Sequence, residues 1–105
     1  MNLDNILIKG CPLCDIFLHP EKNFITKLYY PEDKEQINKV DFIIIESKDS
    51  NIPIVIIRDH VAELTRELWG RILYQCRQLF GTAIRLRYKP RLVKDHYHCY
   101  VYIIK

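Results

Sequence analysis

One stretch of helical periodicity, placed between segments of strand character, most constrains how this chain can fold. From Asp59 to Gly81 the apolar residues recur mainly at intervals of three and four, as on one face of an amphipathic helix. They are Val61, Leu64, Leu68, Ile72, Leu73, Cys76, Leu79 and Phe80. Asp59 is a suitable N-cap and Gly81 a suitable C-terminal stop, so we predict one long helix between them. Gly70 inside it predicts a close approach of the helix to a sheet.

The segments on both sides of this helix are typical of strands. β-branched and aromatic residues dominate 23–30, 40–47 and 52–58 before the helix, and 82–89 and 96–104 after it. A polar turn at 48–51 predicts that the second and third strands pair as a hairpin. The sequence therefore predicts an α+β fold in the order β-β-β-α-β-β. It should form an antiparallel sheet of about five strands with one long helix on one face.

Length and composition indicate a single domain spanning residues 1–105. The chain has only 3 Gly and 5 Pro, and 49% of its residues are hydrophobic. Within residues 1–19, the segment from Asp15 to Leu18 is too short for a helix of consequence, and residues 1–19 are predicted to act as an N-terminal clip. The longest apolar run, 52–57, is far shorter than a membrane span, so we expect no membrane insertion. Residues 1–5 lack the basic start of a signal peptide, which favours a cytoplasmic protein.

Charge gives a weaker indication of the partner. The formal net charge is +3, which leans toward an anionic partner. Nucleic-acid-binding domains usually carry a stronger excess of basic residues, so the charge alone does not prove an anionic partner.

A close cysteine pair is the first indication of chemistry. Cys11 and Cys14 have the spacing with which two thiolates bind one metal ion, and His60 and His96 stand at the predicted starts of a helix and a strand. Together these four residues could form a closed tetrahedral zinc site, although only the folded chain could bring them together. Buried thiols with no metal, or a redox pair, are the alternatives. His19 is a further alternative to His96 as a ligand.

The last two strands place several polar side chains on one face. Because residues two apart share a face of a strand, His96, His98, Tyr100 and Tyr102 lie on one side of the last strand, and Tyr97, Cys99, Val101 and Ile103 on the other. Arg85 and Arg87 alternate in the same way on the preceding strand. We expect the more apolar set to meet the helix, leaving His98, Tyr100 and the arginines on a helix-free face. That face is either an anion-binding surface or an ordinary solvated one.

Three segments together resemble a known family. Cys11-Pro-Leu-Cys14, the run from Pro53 to Leu64 that contains His60, and His96-Tyr-His98-Cys-Tyr100 occur in the order found in the histidine triad superfamily of nucleotide hydrolases and transferases. The resemblance is to its zinc-containing branch and implies a fold like that of this superfamily. It implies that Cys11, Cys14, His60 and His96 bind zinc. It also implies that His98 is the nucleophile, attacking the α-phosphorus of a nucleotide conjugate.

Two departures from the family pattern shape the expected function. Tyr100 stands where the family has its third histidine, and it can donate a hydrogen bond but cannot act as a cation near neutral pH. The family's glycine-rich loop is replaced by 88–95, where Lys89, Arg91 and Lys94 could bind phosphate together with Arg85 and Arg87.

We therefore expect a nucleotide hydrolase or nucleotidyltransferase, for example a phosphoramidate hydrolase, with weak or lost activity. The alternatives are a catalytically inactive module that binds a nucleotide or nucleic acid, and a zinc-stabilised interaction protein. Family members commonly form two-fold dimers, and the edge of the last strand would need a partner or a cover, so a homodimer is also expected.

Overall fold

The computed structural model describes residues 12–18, 27–46, 52–59, 63–87 and 96–104. Its elements are helix α1 (Pro12–Leu18), strand β1 (Leu28–Tyr30), a 3₁₀ helix (Lys34–Lys39), β2 (Phe42–Glu46), β3 (Pro53–Ile57), helix α2 (Arg66–Phe80), β4 (Ile84–Arg87) and β5 (His98–Ile103). The strands form one antiparallel sheet in the order β1-β2-β3-β5-β4. The predicted α+β class and the order of strands around the long helix are therefore confirmed.

The hairpin of β2 and β3 forms the centre of the core. Its predicted pairing is confirmed, with Ile44 opposite Val55 and Ile43 opposite Ile56. Every residue of β3 and all but the last of β2 are buried. Strands buried on both faces show continuous apolar runs instead of alternation, which explains the isoleucine-rich sequence of this hairpin.

Helix α2 covers one face of the sheet. Ile72 and Cys76 on the helix pack in one buried cluster with residues of β2, β3 and β5. The sheet residues of this cluster are Phe42, Ile44, Val55, Ile57, Cys99 and Val101, with Tyr97 packed against it. The prediction that Tyr97, Cys99 and Val101 face the helix is confirmed, whereas Ile103 is exposed.

The opposite face is covered as well, which corrects the expectation of a helix-free face. Leu13, Cys14 and Phe17 of α1, with Ile37 of the 3₁₀ helix, pack against β2 and β3 in a second buried cluster. The sheet contributes Ile43, Ile45, Ile54 and Ile56 to it. A helix of seven residues has little stability of its own, so its apolar face must be held by this packing. The interpretation of this segment as too short for a helix of consequence was wrong.

The ends of α2 are set by one residue that was predicted and one that was not. Gly81 ends the helix with φ of 88°, and its N–H donates to the carbonyl of Arg77 at 2.9 Å, as expected for a glycine stop. The helix begins at Arg66 instead of after Asp59, because Thr65 is the N-cap and its Oγ1 accepts from the N–H of Leu68 at 3.1 Å. Gly70 does not lie against the sheet, since a Cβ built on it meets nothing within 4 Å.

Two further features complete the fold. Strand β5 lies inside the sheet between β3 and β4, so among the described strands the outermost one on that side is β4 and not, as expected, the last strand. The homodimer remains a prediction.

In the part of the chain that the structure describes, no helix is both long and apolar enough to cross a membrane.

Candidate functional site

The structure brings two of the predicted zinc ligands together. Cys14 is placed by α1 and His96 by the residues that lead into β5, and both are fully buried. The Sγ of Cys14 lies 3.3 Å from Nδ1 of His96, although the two residues are 82 positions apart in the sequence. The packing of α1 on the sheet is what creates this contact, because Leu13 and Phe17 anchor the same short helix.

The second nitrogen of His96 fixes how the ring can act. Nε2 lies 2.6 Å from the backbone carbonyl oxygen of Ile57, at the end of β3. A carbonyl oxygen only accepts, so Nε2 carries the proton and donates it, and Nδ1 presents its lone pair toward Cys14. Histidines that bind metals commonly donate their other N–H to a backbone carbonyl in this way. Without a metal, the same geometry lets the thiol of Cys14 donate to Nδ1.

The separation of these two atoms fits a shared zinc ion. With zinc–sulfur and zinc–nitrogen distances near their usual values, a tetrahedral angle puts the two ligand atoms about 3.5 Å apart. The observed 3.3 Å is close to this value. The other two predicted ligands, Cys11 and His60, lie outside the described residues, as does the alternative ligand His19. Within the described ranges no group of three or more His, Cys, Asp or Glu side chains is placed to bind a metal.

The candidate nucleophile His98 is fully buried at the start of β5. Its Nδ1 lies 2.9 Å from the carbonyl oxygen of His96, so Nδ1 donates and Nε2 carries the lone pair. In the neutral ring this is the tautomer that a nucleophilic imidazole requires. The ring meets that of Tyr100 edge to face, with centroids 6.2 Å apart and an interplanar angle of 77°. A side chain without exposed surface, however, offers no direct approach to an incoming phosphorus atom.

Two of the predicted anion-binding residues lie on the same face as His98. Arg87 pairs with Tyr100 and Arg85 with Tyr102 across β4 and β5, and directly paired residues of an antiparallel ladder point to the same side. Both arginines are exposed, and both stand on β4, the outermost described strand on its side of the sheet. Lys89, Arg91 and Lys94 lie outside the described residues.

The remaining described cysteines belong to the core. Cys76 and Cys99 are fully buried in the cluster under α2 and form no disulfide. Burial raises the pKa of each thiol to about 12, and for Cys99 the neighbouring Cys76 adds to the rise. Because the thiolate is the reactive form, neither is a nucleophile near neutral pH. This agrees with the predictions that Cys76 lies on the apolar face of the helix and Cys99 on the side of the last strand that meets it.

Arg58 is the residue that the sequence argument passed over. It follows β3 directly and is 9% exposed, although arginine is among the residues least often buried. Its signal in the sequence was a charged residue at the end of an apolar run.

Comparison with known proteins found no relative of this chain. No protein-family model matches the chain, and no curated protein and no solved structure matches it either.

Proposed function

We propose that this protein is a zinc-stabilised nucleotide-binding domain, like the histidine triad proteins in fold, in which turnover at the nucleotide phosphate is weak or absent. The observation that carries the proposal is the face shared by His98, Tyr100, Arg85 and Arg87. Guanidinium groups are well matched to phosphate oxygens, and tyrosine supplies both a hydrogen-bond donor and a ring surface. An exposed pair of arginines beside such a ring is suited to a phosphate ester that carries a planar base.

Burial of His98 is what favours binding over catalysis. A nucleophilic imidazole must approach phosphorus in line with the leaving group, at close contact distance. His98 has no exposed surface, so its Nε2 reaches a substrate only if the surrounding side chains move. Tyr100 also supplies one hydrogen-bond donor where a histidine could supply a cation. Loss of one donor that stabilises the transition state typically costs about 3 kcal/mol, roughly a hundredfold in rate.

A second candidate, a slow hydrolase or nucleotidyltransferase, is favoured by the hydrogen bond from His98 to the carbonyl of His96. In that reaction Nε2 attacks the α-phosphorus and forms a nitrogen–phosphorus bond while the bond to the leaving group breaks. The leaving group takes up a proton, and water or another acceptor then releases the nucleotide and restores the imidazole. Zinc, bound away from the reacting atoms, would serve only to hold His96 and therefore the start of β5.

Calorimetric titration with adenosine and guanosine monophosphates tests the binding proposal. We expect saturable binding that falls by ten- to a hundredfold in an Arg85→Gln, Arg87→Gln double variant, since charge-assisted hydrogen bonds are lost. Arg77→Gln is the matched control, because Arg77 is an exposed arginine on α2. It should leave the affinity unchanged.

A hydrolysis assay on a nucleoside phosphoramidate separates the two candidates. If the wild type turns over at a rate typical of enzymes and His98→Ala abolishes this turnover, the protein is an enzyme and the proposal of a binding domain without turnover is wrong. Absence of binding to every nucleotide and to short oligonucleotides would leave only a zinc-stabilised interaction protein. Binding to oligonucleotides in preference to mononucleotides would make nucleic acid the partner.

A further inference from the structure

Arg58 is a buried cation at the end of the central strand of the sheet. Its backbone N–H donates to the carbonyl of Asp41 at 2.7 Å, which extends the ladder between β2 and β3 by one residue. The residue is 9% exposed and its side chain 11% exposed. Buried charges are normally paired and fully hydrogen-bonded, because removing a charge from water is costly.

The hydrogen bonds of Arg58 do not satisfy its guanidinium. Nη1 lies 3.5 Å from Oδ1 of Asp59, which is at the outer limit of a hydrogen bond, and the Asp59 side chain is 43% exposed. Among the residues that the structure describes, no acceptor lies within hydrogen-bond distance of Nε, which is buried. The contact with Asp59 uses Nη1 alone. Among the described residues, the edge of the guanidinium group formed by Nε and Nη2 therefore has no acceptor and could bind one from a ligand.

This edge is the geometry with which arginine binds an oxyanion. Two parallel N–H groups of a guanidinium match two oxygens of a phosphate or carboxylate group, and such bidentate contacts are both strong and directional. Lysine offers a point charge but no such pair of fixed donors.

The position of Arg58 relates it to the candidate nucleotide site. Ile56 pairs with His98 across β3 and β5, and Arg58 is two residues beyond Ile56, directly after the end of β3, where its backbone hydrogen bond to Asp41 continues the pairing with β2. Residues two apart on a strand share a face, so continued alternation assigns Arg58 to the face that carries His98 and Tyr100. The anion that binds Arg58 would therefore lie beside the candidate nucleophile, on the other side of β5 from Arg85 and Arg87.

We propose that Arg58 is an oxyanion-binding residue that takes the phosphate group of a phosphate monoester on Nε and Nη2. The identity of the ligand as a nucleotide rests on the function proposed above, whereas phosphate binding by Arg58 does not. Because Nε is buried and the side chain is 11% exposed, this contact requires the guanidinium to rotate about its terminal torsions when the ligand binds.

Titration with inorganic phosphate, followed by the 1H–15N resonances of the arginine Nε–H groups, tests this directly. We expect the Nε–H resonance of Arg58, assigned by its loss in Arg58→Lys, to shift and saturate. The affinity for phosphate should fall at least tenfold in Arg58→Lys, which keeps the charge but loses the paired donors. Arg77→Lys is the matched control and should change neither the shift nor the affinity. An unshifted Arg58 resonance, or equal affinity in all three proteins, would overturn the proposal.

A stability measurement separates binding from a purely structural role. An apolar residue of similar length often replaces a buried charge without loss of stability, so Arg58→Met should melt at or above the wild-type temperature and lose the stabilisation by phosphate. If Arg58 is only structural, Arg58→Met melts lower and phosphate does not stabilise the wild type. Should Arg58→Met fail to fold, the resonance shift and Arg58→Lys still decide.

Two further arms identify the ligand. Acetate is the carboxylate probe, and tighter binding of acetate than of phosphate would overturn the phosphate assignment. Phosphate binding at Arg58 with no nucleotide binding would remove the proposed function and leave the oxyanion site. Nucleotide binding of equal strength in wild type and Arg58→Lys would remove the oxyanion site at Arg58 and leave the proposed nucleotide-binding function.

Discussion

His96 and His98 show how the backbone can assign different roles to identical side chains two residues apart. His96 donates from Nε2 to the carbonyl of Ile57, so its Nδ1 is directed to Cys14. His98 donates from Nδ1 to the carbonyl of His96, so its Nε2 keeps the lone pair. The two rings therefore hold opposite tautomers. One is suited to a metal and the other to an electrophile, and both are set by main-chain acceptors rather than by charged neighbours.

The buried thiols of Cys76 and Cys99 predict alkaline destabilisation. Their pKa values rise from 9.0 to about 12 on folding, so the folded state binds protons more tightly than the unfolded state between these values. The stability is fully present below pH 9 and is lost as pH rises toward 12, by up to about 1.4 kcal/mol per pH unit for each thiol. Urea unfolding at pH 8 to 11 measures this loss. The Cys76→Val, Cys99→Val double variant should show a flatter profile, and an equal slope in both proteins would contradict the assignment.

The cap at Thr65 gives a second prediction at the residue scale. Thr65→Ala removes the oxygen that accepts from the N–H of Leu68, and a lost cap typically costs about 1 kcal/mol of the free energy of unfolding. Thr82→Ala is the control, because Thr82 is exposed after the end of α2 and caps no helix start. Equal stability of the two variants in urea would show that α2 does not depend on Thr65.

Gly70 inside α2 and Gly81 directly after it predict opposite effects of the same substitution. Gly70 lies in the helix interior with open space around the added methyl, so Gly70→Ala should stabilise the protein by about 0.5 to 1 kcal/mol. Gly81 has a positive φ of 88°, so Gly81→Ala should destabilise it by a similar amount or more. Thermal melting of the two variants against the wild type measures both signs, and a shift of the same sign in both would contradict this account of the helix.

Comparison of the elements shows where sequence patterns sufficed. Alternation and turn residues predicted all five strands and the hairpin of β2 and β3, since those signals are local. The start of α2 was misplaced because Val61 and Leu64 fit the helical period, while the deciding signal was a cap at Thr65. Helix α1 was missed because seven residues owe their helical form to packing of Leu13 and Phe17 on the sheet, which no local pattern reports.

At the scale of the whole molecule, local sequence patterns predicted only part of the candidate site. The spacing of Cys11 and Cys14 indicated a metal, and the contact between Cys14 and His96 joins two segments that only the folded sheet brings together. The arginines on β4 followed from alternation. The sequence shows Arg58 only as a charged residue at the end of an apolar run, whereas its burial and its donor without an acceptor among the described residues are visible only in the folded chain.

Zinc and the packing of α1 should stabilise each other, because Cys14 and Phe17 lie on one helix and both are fully buried. We expect one zinc per chain in protein purified without added metal. Its removal by a chelator should lower the free energy of unfolding by several kcal/mol, since metal binding free energy appears as folding free energy. Elemental analysis and urea unfolding with and without chelator measure the two quantities. Zinc content near zero, or Cys14→Ser with unchanged zinc content and stability, would contradict the site.

A matched pair of core substitutions then tests the coupling itself. Phe17 packs beside Cys14 in the cluster under α1, and Phe42 packs in the cluster under α2. Phe→Leu at either position should cost a similar stability, on the order of 1 kcal/mol, because both side chains are buried. Only Phe17→Leu loosens the helix that presents Cys14, so it alone should weaken zinc binding, by roughly tenfold if that loosening costs about 1.4 kcal/mol. Competition with a chromogenic chelator measures the affinity, and equal zinc affinity in the two variants would show that the metal site forms independently of α1 packing.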